Sequence, residues 1–141
     1  MAVTLDPYIM QQLQARRRTA TSQYGLARAR LEAERSHAGL VQGQARRDLQ
    51  TNYTQQRSRL PGQYAQRGLL NSGIYGRALT TLRTGHLDAA NRNALQYQGQ
   101  LNQFNLSGRE TEVSYQDELL NLAQEEQALR TQAILRNLFP I

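Results

Sequence analysis

No proline interrupts the chain between Pro7 and Pro61, and this continuity limits what the sequence can fold into more than any other feature. The stretch is rich in Ala, Gln, Arg and Leu, which rank among the strongest helix formers. Tyr24, Ala27, Leu31, Ala38, Val41 and Ala45 advance by threes and fours, with Glu34 interrupting. That spacing places a narrow apolar seam on one face of a helix, suited to pairing with another helix. Asp6 before Pro7 reads as an N-cap followed by proline in the first turn. Residues 1–60 are therefore predicted as one long basic helix. At about 1.5 Å per residue, the roughly fifty residues from Pro7 onward would make a rod of roughly 75 Å.

The next punctuation is concentrated. Leu60-Pro61-Gly62 disfavours helix continuation, and Gly68-Leu69-Leu70-Asn71-Ser72-Gly73 follows within a few residues. Residues 61–73 are predicted as the turn that reverses the chain, with Gly68 stopping a helical turn and Asn71 or Ser72 capping the next helix. Residues 74–141 then read as a second and a third helix. Ile74, Ala78, Leu82, His86, Ala89, Asn93, Tyr97, Leu101 and Phe104 form the seam of the second. Asn105-Leu106-Ser107-Gly108 is a candidate break, because Ser107 and Glu110 have capping-box spacing; alternatively the second helix runs on with a kink. Beyond it Val113, Leu119, Leu122, Leu129 and Ala133 are expected inward, and Leu138, Phe139 and Ile141 form an apolar tail around Pro140.

The fold expected is all-α: a long helical hairpin or three-helix rod, coiled-coil-like and part of a larger assembly, with at least about 65% helix against a globular base rate near a third. Composition supports thin packing. Tryptophan is absent and the aromatic content is two Phe and seven Tyr, so burial must come from Ala, Leu and Tyr on stripes. Ordering each residue costs about 1–2 kcal/mol, which a seam made mostly of Ala offsets poorly. Neighbouring copies are expected to supply the remainder, with Leu31, Val41, Leu122, Leu138, Phe139 and Ile141 as candidate assembly contacts.

A second periodicity crosses the turn. Tyr53, Tyr64, Tyr75 and Tyr97 are spaced by elevens, with His86 filling the gap. Eleven-residue repeats make a slightly right-handed seam, but Pro61 and the glycines interrupt this one.

Several chemistries are disfavoured. The chain has no Cys, so it holds no disulfide or thiolate metal site. No run approaches the ~20 apolar residues of a membrane span, and the start lacks the basic-then-apolar order of a secretory signal. The glycosylation-like tripeptides at Asn52 and Asn105 then read as accidental. His37 and His86 lie in helical stretches without a nearby Asp-His-Ser arrangement. The acid pairs Glu110/Glu112, Asp117/Glu118 and Glu125/Glu126 lack the loop of a calcium site. Gly68 and Gly73 have the spacing of a phosphate-binding loop, yet Ile74 and Tyr75 stand where Lys and Ser or Thr are needed. No enzyme activity, cofactor, metal or small-molecule substrate is expected.

Charge is the remaining signal. All 17 basic residues are Arg; eleven of them, against four acids, fall in residues 1–70, whereas residues 71–141 carry six against seven acids. Arg16, Arg17, Arg18, Arg28, Arg46 and Arg47 are candidate contacts for a polyanion or a partner. Arginine on a helical rod can touch DNA phosphates without reading bases. The plainer account is a solvated face paired with Glu32, Glu34, Asp48 or the acidic third helix of a neighbour.

The segment Arg67-Gly68-Leu69-Leu70-Asn71-Ser72-Gly73, followed by Arg77-Ala78-Leu79, resembles small helical virion structural proteins of tailed bacteriophages, either internal and ejection-associated or tail-associated. In these, Ala- and Gln-rich helices flank a small-residue turn. The resemblance implies a structural role in multiple copies at the head-to-tail axis, the tail tip or the internal ejection apparatus. Its partners would be copies of itself and other virion proteins, with non-specific DNA contact, and it would be made in the host cytoplasm and located in the virion. Two other readings compete: a nucleic-acid-binding helical protein, and a scaffold or assembly chaperone.

Overall fold

The computed structural model describes residues 4–139. Two helices, α1 (Pro7–Gln66) and α2 (Gly73–Leu138), pack as a hairpin, and 93% of the described residues are helical. Contacts divide the chain into two units, Met1–Ala33 with Phe104–Ile141, and Glu34–Gln103, each containing a length of both helices.

The start of α1 follows the expected cap. The Tyr8 amide donates to Asp6 Oδ1 at 2.8 Å and Met10 N–H donates to the Asp6 carbonyl at 3.0 Å, with Pro7 in the first helical position where no N–H is needed. The end of α1 is equally well defined. Gly68 has φ +68°, the Leu69 amide reaches back to the Tyr64 carbonyl at 2.9 Å, and the Gly68 amide to Ala65 O at 3.0 Å. These two bonds satisfy carbonyls that a helix end leaves open, and they require the left-handed backbone that glycine alone adopts cheaply. Ser72 then caps α2: its Oγ accepts from the Tyr75 amide at 3.4 Å and donates to Leu69 O at 2.6 Å.

The turn is shorter than the 61–73 expected. Pro61 lies inside α1 and does not end it. A proline in a helix interior forgoes one backbone bond and costs about 3 kcal/mol, but a long helix held by its partner can carry that locally. Half-buried Leu60, Pro61 and Tyr64 show that this stretch faces α2. Gly73 is the first residue of α2 and does not have positive φ, so of the two glycines only Gly68 needs left-handed backbone.

There is also no break at residues 105–108; α2 runs through them, so the described residues form two helices and not three. Gly108 costs about 1 kcal/mol relative to Ala in a helix. Both Ser107 and Gly108 are half-buried, so packing offsets a local preference that capping-box spacing alone overstated. Elsewhere the polar residues are accommodated: Thr19, Thr54, Ser58, Thr80, Thr111 and Thr131 each donate to the carbonyl one turn back.

The buried seams follow the expected three-four spacing with local corrections. Tyr24, Ala27, Leu31, Ala38 and Ala45 are half-buried, but Gln42 and not Val41 occupies the face between the last two, leaving Val41 53% exposed. On α2 the seam holds from Ala78 to Phe104, while Ile74 and Val113 point outward. A step of three and a step of four look alike in sequence, yet differ by 100° around the helix, and at Val41 that difference decides the face; Val113 lies two residues, about 200°, from half-buried Thr111 and Tyr115.

Candidate functional site

In the first unit, Leu5, Leu13 and Leu122 are the buried large apolar side chains, with Leu122 fully enclosed. Charged side chains link α1 to α2 beside them. Arg16 Nη1 donates to Glu125 Oε2 at 2.6 Å and Arg17 Nη2 to Glu126 Oε2 at 2.5 Å. Arg130 completes the group, donating to Glu126 Oε1 from Nη2 at 2.8 Å and from Nε at 3.2 Å. Leu13 lies one helical turn before Arg17 on α1, and Leu122 one turn before Glu126 on α2. The Arg130 and then the Arg17 guanidinium, hydrogen-bonded to its carboxylate, hold Glu126 below the usual carboxylate range.

Further along the same unit, Tyr24 and Tyr115 stack with ring centroids 4.4 Å apart and planes 10° from parallel. Arg28 lies 5.9 Å above the Tyr24 ring, and Thr21 Oγ1 and Tyr115 Oη are 3.1 Å apart in a hydrogen bond. An open groove of about 640 Å³ beside this stack is bordered by Arg16, Gln23, Glu110, Ser114 and Glu118. Its charges are mixed and no buried nucleophile or base faces it, so it offers no catalytic constellation.

The second unit is aromatic. Tyr53 stacks on His86 at 4.3 Å and Tyr64 meets Tyr75 at 5.5 Å in a tilted arrangement. Each of the three aromatic pairs is equidistant in sequence from the peptide bond joining Leu69 to Leu70. This resolves the eleven-residue spacing of the tyrosines: reflection through the turn puts members of one series opposite each other, Tyr53 on His86 and Tyr64 on Tyr75. A third close approach was not singled out from sequence. Gly39 leaves room for the Tyr97 hydroxyl, which would lie 3.4 Å from a Cβ built there.

The candidate residues thus separate. Arg16 and Arg17 are paired with acids of their own chain, and Arg28 covers Tyr24. Arg18, Arg46 and Arg47 are exposed, but consecutive helical residues diverge by 100°, so the 16–18 and 46–47 runs do not form one basic face. Asn71 is exposed in the turn, and Pro61, Gly68 and Gly73 stand as described above. Of the assembly candidates, Leu31 is half-buried and Leu122 enclosed within the hairpin, while Val41, Leu138 and Phe139 are exposed; Ile141 lies outside the described residues. His37 is exposed. Among the described residues no three metal-ligating side chains cluster, and no helix is long and apolar enough to cross a membrane.

Helix caps, inter-helix ion pairs and aromatic stacks define a helical hairpin with little enclosed core and much apolar surface facing outward. No protein family, characterised protein or solved structure matches the sequence.

Proposed function

We propose that the chain is a structural protein of a tailed-phage virion, assembling in multiple copies with itself and with other virion proteins at the head-to-tail axis, tail tip or internal ejection apparatus. One observation carries the assembly part of this reading. Among the described residues three large apolar side chains are enclosed, whereas Leu26, Leu40, Leu95, Leu106, Leu120 and Phe139, among others, are each more than half exposed. A hairpin of this length with so little enclosed core offsets little of its ordering cost by its own burial, which supports burial of these side chains against partners. The phage assignment rests on the turn from Arg67 to Gly73 and its flanking helices.

DNA contact is secondary in this reading, because two arginines of the basic run are engaged within the chain and the exposed ones diverge. Mass spectrometry of purified particles tests the proposal. Presence at a fixed stoichiometry is expected; presence only in precursor particles would support the scaffold or chaperone reading instead, and absence from both would overturn the virion role.

A further inference from the structure

Building on the assembly reading, we infer that the outward face of α2 around Val113 is a self-complementary surface on which α2 of a second copy docks antiparallel. Leu106, Val113 and Leu120 recur at strict seven-residue spacing, and each is between 55% and 57% exposed. They lie about 150° around the helix from the seam that faces α1, so the hairpin's own packing leaves them uncovered. Arg109 and Asp117 sit on either side of this stripe, both exposed, and neither forms an ion pair among the described residues.

The occupant is identified by the symmetry of the pattern. A two-fold axis through Val113 exchanges residues equidistant from it, as an isologous interface requires. Val113 then meets its counterpart, Leu106 meets Leu120 twice, and Arg109 meets Asp117 twice. The acids avoid one another in this register: Glu110 falls opposite Gln116, Glu112 opposite Ser114 and Glu118 opposite Gly108. Sliding the helices by one heptad in one direction leaves Leu106 opposite Gln127, and in the other leaves Leu120 opposite Gly99. The patch is therefore complementary to itself in one register, which its three apolar pairs select and the two Arg109–Asp117 pairs reinforce.

Charge exchange tests this without disturbing the hairpin, since both side chains are exposed. R109D alone and D117R alone each place like charges opposite one another at two points, and each should weaken self-association roughly tenfold in sedimentation velocity at low salt. The double variant R109D/D117R should return to the parent's association. An equimolar mixture of the two single variants should also associate, because each copy then supplies the charge the other lacks. Arg109 and Asp117 are two turns apart on one helix, roughly 12 Å, so rescue in the mixture cannot arise within a chain. Single variants that associate like the parent, or a mixture no stronger than its components, would overturn the face while leaving the assembly reading intact. A parent chain that stays monomeric at high concentration, yet is found in particles, would overturn self-docking and point to a different virion partner.

Discussion

Gly68 and Gly73 lie five residues apart, and substituting each by Ala should change stability in opposite directions. Gly68 has φ +68°, so a Cβ there meets the backbone penalty of the left-handed region, about 1–2 kcal/mol. The space around it is open, so the cost is conformational and not steric against a neighbour. Gly73 sits in ordinary helical backbone at the first position of α2, again with open space for a Cβ. Ala at that site restricts the unfolded chain and should stabilise by roughly 0.4–1 kcal/mol. With a urea dependence of about 1–3 kcal/mol per molar, the two variants should be separated by a midpoint difference on the order of 1 M. Urea titration followed by circular dichroism, at a fixed protein concentration, reads this directly. Gly68→Asn should fall between parent and Gly68→Ala, since Asn tolerates positive φ better. Equal destabilisation by Gly68→Ala and Gly73→Ala would refute the assignment of the turn's strain to Gly68.

Leu122→Ala should cost about 2–5 kcal/mol because the side chain is fully enclosed, while Leu135→Ala, half exposed, should stay within roughly 0.5 kcal/mol; thermal melts compare them. Pro61→Ala should stabilise the hairpin by roughly 1–3 kcal/mol by restoring a helical N–H, measured in the same melts. Because the folded Glu126 carboxyl titrates below its unfolded value, its contribution is present above the unfolded value and is lost as pH falls through the folded one. The urea midpoint should therefore fall on acidification from pH 7, and Glu126→Gln should flatten that fall; an unchanged pH profile in the variant would contradict the role of the Arg130–Glu126–Arg17 group.

Much of the fold was legible because helix caps and three-four spacing are local signals. Asp6, Gly68 and Ser72 act through bonds to residues within five positions, and each could be read where it stands. Pro61 and Ser107-Gly108 were misread for the same reason: both are local breakers, and it is packing against the other helix that carries the chain through them. The Arg16–Glu125 and Arg17–Glu126 pairs span 109 residues and exist only once the register of the hairpin is known. Sequence supplied the complementary charges but assigned them to different copies. The outward stripe of Leu106, Val113 and Leu120 had a readable signal in its heptad spacing, obscured because Val113 was placed in the inward set.

The reflection of paired residues about the Leu69–Leu70 peptide also restricts how such a chain can change its length. Deleting a single residue from one arm would turn every more distant side chain on that arm by 100° relative to the opposite helix, separating Tyr24 from Tyr115 and Arg17 from Glu126 together. Removal of seven or eleven residues nearly preserves the face, but it would still have to be matched by an equal loss on the other arm. Length variants that retain these pairs should therefore carry insertions or deletions in both arms, at mirrored positions and in multiples of the helical repeat, with single-arm changes confined to residues beyond the outermost pair.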